Sequence, residues 1–224
     1  EKLSKRLETV AKYIPNNARM ADIGSDHAYL PCHMVHKGVT PFAIAGEVAE
    51  GPFQSAKNQV ESEGLSGRIS VRKGDGLEVI EPGEVDCITI AGMGGALIAS
   101  ILEAGKAKLG NVQRLVLQPN ISAVSIRNWL FNNGWGLTAE EILEEDGKIY
   151  EILVAEQMDT KASCGMELEK ELLFGPFLLK EKNQVFQKKW QAEKANWLKI
   201  LRNLEHASAT HENNQKNQEL LRKI

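Results

Sequence analysis

Between Arg19 and Asn132, short apolar runs alternate with stretches of helical period. The runs are Arg19–Gly24 (RMADIG), Pro41–Gly46, Ile69–Lys73, Val85–Ala91 and Gln113–Gln118. The helical stretches are Tyr29–Lys37, Ala49–Glu63 (closed by Gly64), Ala96–Ala104 and Ala123–Asn132. Strands separated by helices cannot close as hairpins. They build βαβ units and a mostly parallel sheet with helices on both faces. Ahead of them, Leu3, Leu7, Val10 and Ile14 mark one face of a short helix within Lys2–Ile14, stopped by Pro15. After Trp135 the pattern changes. Strand-like runs Trp135–Leu143 and Lys148–Glu156 flank Asp146-Gly147, a tight-turn pair, so the sheet is expected to end in an antiparallel hairpin.

From residue 161 onward no strand is expected. Gly175-Pro176 breaks the chain, and Phe186, Trp190, Trp197, Leu201 and Leu204 then form a heptad-like seam that Glu193-Lys194 interrupts. His206–Asn214 reads as a turn and Glu219–Ile224 as resumed helix. The expected organisation is a domain over 1–160 and a helical hairpin tail over 161–224. With 42% hydrophobic residues in 224, the chain can bury a substantial core, which excludes global disorder. No apolar run approaches the roughly 18 residues of a membrane span. No basic-then-apolar leader suggests export. Cys32, Cys87 and Cys164 form neither a metal knuckle nor a disulfide framework, which suits a reducing cytosol. Residues 1–160 carry 15 Lys/Arg against 22 Asp/Glu, whereas residues 161–224 carry 12 against 8 and the first twenty 5 against 2. A polyanion would therefore meet the two ends of the chain. Helical surfaces carrying many lysines offer the plainer account.

The residues that carry chemistry stand where strands end. Asp22-Ile23-Gly24-Ser25-Asp26-His27-Ala28-Tyr29 closes the first strand and opens a helix, the switch point where doubly wound sheets bind ligands. Gly24 lets backbone approach a ligand. A dinucleotide site would want G-x-G-x-x-G, but Asp26 and Tyr29 hold the later glycine positions. An anionic Asp26 repels phosphate and attracts a cation, such as the ammonium and sulfonium of S-adenosylmethionine; alternatively it caps the helix. Glu47, about twenty residues on, suits ribose hydroxyls or is a solvated acid. Gly74-Asp75-Gly76 suits an adenine amino group or is a simple turn. Ala91-Gly92-Met93-Gly94-Gly95 brings backbone close to a ligand, with Met93 against it, or is a loop with a core Met. Gln118-Pro119-Asn120 offers amides to orient a base, with helix capping by Asn120 as the alternative.

Together RL, ADIGSDHAYLP, AGEVAEGPFQSAKNQV, GDGL, AGMGG, LQPN and YEILVAE resemble the bacterial tRNA (adenine-N1) methyltransferases that modify adenine 22, the TrmK family. The resemblance runs in order from Leu3 to about Glu156, with ADIGSDHAYLP and AGMGG its specific pair. The fold is likewise similar to class I methyltransferases, whose parallel Rossmann-like sheet ends in an antiparallel strand. The resemblance implies S-adenosyl-L-methionine as cofactor, tRNA as partner and a C-terminal coiled-coil hairpin. It sets Asp22, Gly24, Asp26 and His27 against the methionine part of the donor. Glu47 takes the ribose, and Asp75 with Gly76 the adenine. Ala91 to Gly94 line the reaction site.

Adenine N1 carries a lone pair, so no base is needed to make a nucleophile. The candidate reaction residues are Asp26 for the developing positive charge, Tyr29 to stack on the base, and Gln118 or Asn120 to read its edge. Tyr29 is otherwise helix core. Arg127 and Trp129 touch RNA or pack inside. Expected phosphate contacts are Lys5, Arg6, Lys12 and Arg19 at the start, and Lys180, Lys182, Lys188, Lys189 and Lys199 in the tail. A small-molecule methyltransferase and an inert binding module are the competing readings. No metal is expected, because His27, His33 and His36 lack carboxylates at ligand spacing. A monomer is the favoured state.

Overall fold

The computed structural model describes residues 2–158, 167–207 and 211–223. Cys164 and part of the turn expected at 206–214 lie outside them. The expected α/β sheet is present. Seven strands take the order β3-β2-β1-β4-β5-β7-β6. They are β1 (Met20–Ile23), β2 (Ala43–Glu47), β3 (Ile69–Lys73), β4 (Cys87–Met93), β5 (Arg114–Pro119), β6 (Trp135–Glu145) and β7 (Lys148–Gln157). The first five are mutually parallel, and β7 runs antiparallel to both β5 and β6. β1, β2 and most of β5 are buried along their whole length, because helices cover both faces.

Those helices are α1 (Lys5–Lys12), α2 (Tyr29–His36), α3 (Glu50–Ser62), α4 (Gly95–Ala104) and α5 (Ala123–Asn132). One core layer gathers Val10, Leu30, Val35, Ala56 and Val60 from α1 to α3. The other gathers Ile98, Leu102, Ile126 and Trp129 from α4 and α5. β1 pairs with β2 on one side and β4 on the other, so the winding reverses beside it. The crevice this opens at the carboxyl ends of the strands is where such a sheet takes ligands.

α1 does more than fill the apolar face that Leu3, Val10 and Ile14 bury. Ser4 caps it by accepting from the Leu7 N–H. Glu145, at the end of β6, accepts from the Lys5 and Arg6 N–H groups at 2.7 and 3.1 Å. These bonds fix the first turn of α1 to the sheet.

The chain forms two compact units, Glu1–Lys180 and Glu181–Ile224. The division falls twenty residues beyond the expected 160/161 boundary. The reason is a buried ionic group. Arg127, on α5, reaches Glu140 and Glu151 at 2.7 Å each, with all three side chains almost fully buried. Its guanidinium also donates to the carbonyls of Leu172 and Leu173, and Glu140 accepts from the Phe177 N–H. Two short helices absent from the sequence reading, α6 (Leu168–Phe174) and α7 (Pro176–Glu181), are thereby tied to the sheet. Arg127 and Trp129 thus pack inside and face no RNA; the Trp129 indole donates to Glu103 at 2.8 Å.

In the second unit α8 (Gln184–His206) runs unbroken through Glu193-Lys194, and α9 (His211–Lys223) packs on it. Phe186, Trp190 and Trp197 form a tilted aromatic row with centroids 6.3 and 6.1 Å apart. Among the described residues no helix is long and apolar enough to cross a membrane.

Removing one member of a buried charge group leaves the others uncompensated. Arg127→Met should therefore cost about 3–5 kcal/mol in urea unfolding at pH 7. The triple variant with Glu140→Gln and Glu151→Gln should recover much of that loss. A cost below about 1 kcal/mol for the single variant would contradict the assignment.

Candidate active site

The first strand ends in an unusual turn. After Gly24 (φ 68°), Asp26, His27 and Ala28 all take left-handed backbone, with φ of 48, 61 and 56°. Such a run costs L-residues roughly 1–2 kcal/mol each and persists only when the surroundings over-determine it. Two carboxylates do so here. Asp22, buried on β1, accepts from the hydroxyls of Ser25 and Thr89 at 2.7 Å each. Thr89 is its direct neighbour in register on β4. Glu47, at the end of β2, accepts from the Asp26 N–H. Gly46 in turn offers its carbonyl to the N–H groups of Gly24 and Ser25 at 3.0 and 3.2 Å.

Burial pushes the Asp22 carboxyl up to about 7, against the opposing pull of the Thr89 and Ser25 hydroxyls. Burial likewise raises Glu47 above the usual carboxylate range, with the Asp26 N–H acting in the opposite direction. Two acids that resist ionisation beside one turn prefer a cation, which would restore their charged forms.

The remaining walls come from β4, β5 and α1. Gly92 (φ 81°) sits at a register shift between Ala91 and Met93, and a Cβ on Gly24 would stand 2.3 Å from the Met93 Cε. At Gly95, a Cβ would lie 2.0 Å from the Ser122 carbonyl oxygen. Gln118 is fully buried at the end of β5. Its carbonyl oxygen accepts from the Arg6 guanidinium at 2.6 Å and from the Gly92 N–H at 3.0 Å. Its amide nitrogen donates to the Pro119 carbonyl and to Asn120 Oδ1. The side chain has no donor left for a base, so Gln118 positions Arg6 and the glycine loop. Asn120 is exposed, and α5 is capped at Ser122, so Asn120 does not cap that helix.

An open cavity of about 370 Å³ is lined among others by Arg6, Asp22, Asp26, Tyr29, Met93 and Tyr150, while Glu47 and Gln118 stand behind its walls. Gly24, Ala91, Gly92 and Asn120 also border it. Tyr29 is half-buried at the start of α2 and stacks on the exposed His27, with centroids 5.2 Å apart. Asp26 projects into solvent at the cavity mouth, its side chain 84% exposed, and it caps no helix through that side chain. Gly94 is the residue from which α4 starts. Gly74, Asp75 and Gly76 lie apart. Asp75 is exposed, and with Gly76 it lines a second cavity of about 440 Å³ against Leu97 and Ile101 of α4. Exposed Val48, Leu97 and Ile121 stand just after β2, at the start of α4 and after β5.

Sequence reasoning missed Ser25, Thr89 and Tyr150, and it listed Arg6 only as a phosphate contact. Arg6 is in the wall, its guanidinium 5.6 Å above the Tyr150 ring. Two other expected phosphate contacts are already neutralised: Lys12 pairs with Glu141, and Arg19 holds Asp86 in a fork.

The model of the TrmK family, described as tRNA (adenine(22)-N(1))-methyltransferase, matches residues 20–224. The tRNA (adenine(22)-N(1))-methyltransferase of Bacillus subtilis (strain 168) is 60% identical over 220 residues, covering 98% of this chain and 92% of that protein. The crystal structure of the B. subtilis M1A22 tRNA methyltransferase TrmK superposes with a TM-score of 0.95 at 59% identity, covering 99% and 95%. A Streptococcus pneumoniae chain in complex with S-adenosyl-L-methionine superposes with a TM-score of 0.86 at 46% identity, covering 99% of each.

The raised Asp22 carboxyl makes a pH prediction. Its folded value, about 7, exceeds the unfolded 3.8, so the folded state binds the extra proton. The stability it contributes is full below about pH 4 and is lost as pH rises through about 7. Asp22→Asn should remove that component. Urea unfolding should show the variant gaining on the parent chain between pH 4.5 and 8, and parallel pH profiles would refute the assignment.

Proposed function

This chain belongs to the TrmK family, is an S-adenosylmethionine-dependent methyltransferase acting on N1 of adenine 22 in tRNA, and, we propose, carries out the transfer in the cavity between Asp22, Arg6, Tyr29 and Gly92. The observation that carries this placement is the acidic, left-handed turn at the switch point. It offers carboxylates where a dinucleotide site offers N–H groups to phosphate.

The residues fit the methyl donor on their own geometry. Asp22, Gly24, Asp26 and His27 would border its methionine end, where carboxylates meet an ammonium and a sulfonium. Glu47 would take the ribose hydroxyls. Gly74, Asp75 and Gly76 would hold the adenine beside exposed Leu97. Ala91, Gly92, Met93 and Gly94 would line the transfer point, where the absent side chain of Gly24 leaves the Met93 methyl its place. When bound, S-adenosylmethionine supplies an electrophilic methyl group on a sulfonium centre.

The target atom already carries its lone pair, so the chain has no proton to remove before attack. Its task is to hold two centres in line at near-contact distance. N1 lies on the Watson–Crick edge, so a paired adenine must leave its stack. Tyr29, half-exposed on the cavity wall, would stack on the extruded base, and Asn120 would meet its polar edge. Gln118 acts through Arg6 and Gly92, which it fixes. Methylation leaves the base cationic, and Asp26 at the mouth would favour that charge.

Outside the cavity, the exposed Lys5 and the tail side chains Lys180, Lys182, Lys188 and Lys199 would contact phosphates. Lys189 instead lies over the Trp190 ring at 4.8 Å. A tRNA substrate, together with the free, buried Cys32 and Cys87, suits a cytosolic setting.

The test is methyl transfer from labelled S-adenosylmethionine to unmodified tRNA transcripts, with nucleoside analysis. Labelled N1-methyladenosine that disappears when adenine 22 is replaced is the expected result. Asp26→Ala should weaken donor binding in the same preparation. Donor binding without transfer to any tRNA would overturn the assignment and favour a small-molecule substrate.

A further inference from the structure

We propose that the cleft between α1 and α2 seats the sugar–phosphate backbone flanking the extruded adenine, an inference that rests on the tRNA reading above. The cleft has a volume of about 450 Å³ and is walled by Lys2, Arg6, His33, His36 and Lys37, with Glu63 at its far side. It shares Arg6, Leu7, Asp26 and Tyr29 with the reaction cavity. The two cavities therefore adjoin, with Arg6, Leu7, Asp26 and Tyr29 standing between the reaction cavity and the basic cleft.

Charge singles this cleft out. Residues 1–160 are acidic as a whole, with 22 Asp/Glu against 15 Lys/Arg. Elsewhere in the first unit about half of the cations are held in ion pairs, and those outside them, such as Lys5, Lys57, Arg68 and Lys148, do not line this cleft. Lys12 is paired with Glu141, Arg19 with Asp86, Arg72 with Glu84 and Arg114 with Glu156. Along the cleft the balance reverses. Among the described residues Lys2, Arg6 and Lys37 make no ion pair. Of the two acids that border it, Glu63 is engaged by His36 and Gln59, and Asp26 projects at the end nearest the reaction cavity.

The substrate needs such a strip. A nucleotide that leaves its stack carries its phosphates to the rim of the pocket that receives the base. Those phosphates require cations that internal carboxylates have not neutralised. On α2, His36 is held by Glu63, and His33 stands beside Lys37 as a ring N–H donor. Free phosphate shares this chemistry, but a cleft that adjoins the reaction cavity suits a chain that runs past both.

The test uses the full chain carrying His33→Gln and Lys37→Gln. Lys37 is exposed just past the last turn of α2, so its substitution leaves the core intact. The tRNA Kd should rise about tenfold at 50 mM salt, and the log Kd against log salt slope should fall by about one. Donor affinity in calorimetry and kcat at saturating tRNA should be unchanged. Lys57→Gln, on α3 and outside the cleft, should alter none of these values. A tRNA Kd and salt slope equal to those of the active parent chain would overturn the cleft alone. A parent chain that methylates no tRNA would overturn the functional reading and the cleft together.

Discussion

The left-handed turn at Asp26–Ala28 is the feature on which the rest of the active site depends. Asp26 and His27 are residues that tolerate left-handed backbone singly, but a run of three that ends in alanine has no local support. It exists because Asp22 holds Ser25 from below and Glu47 holds the Asp26 N–H from the side. Both acids lie on neighbouring parallel strands whose register places Asp22 between Ala45 and Thr89. The sheet thus determines the turn, and the turn determines where Asp26 and Tyr29 stand. α2 can start at Tyr29 only because the chain has been redirected within three residues. A side chain at Gly24 would strike Met93 and disturb the opposite wall as well.

A second node closes the site from the other side. Gln118 sits at the end of β5, yet its oxygen joins α1 to the glycine loop after β4. Glu145 anchors α1 at its start, so the helix serves as a wall of the cavity as well as a cover for the core. Arg6 thereby becomes part of the reaction cavity and of the adjoining basic cleft. One amide and one carboxylate place a cation that would otherwise be an ordinary surface arginine.

Much of this architecture was legible in the residues. The alternation from Arg19 to Asn132 specified the parallel sheet, and Asp146-Gly147 marked the antiparallel hairpin, because periodicity and turn chemistry are local properties. The glycines at 24, 92 and 95 and the acids at 22, 26 and 47 stood out because each stands at or just beyond the end of a strand. Other features were hidden by sequence distance. Nothing near Arg6 announces Gln118, 112 positions away. Nothing in the α6 and α7 stretch announces that Arg127 and Glu140 will bind its backbone. Lys12 and Arg19 read as free cations because their partners, Glu141 and Asp86, lie far along the chain. Charge counts locate basic segments, but only the fold shows which charges are already spent.

The most direct test of this account asks whether the two buried acids shape the donor site. S-adenosylmethionine would be titrated calorimetrically into the parent chain and into Glu47→Gln and Asp22→Asn variants, with circular dichroism as the check on folding. Both variants should fold, and their donor affinity should fall at least about tenfold, roughly the value of one charge-assisted hydrogen bond. Folded variants that bind the donor as tightly as the parent chain would show that the two acids do not shape the donor site.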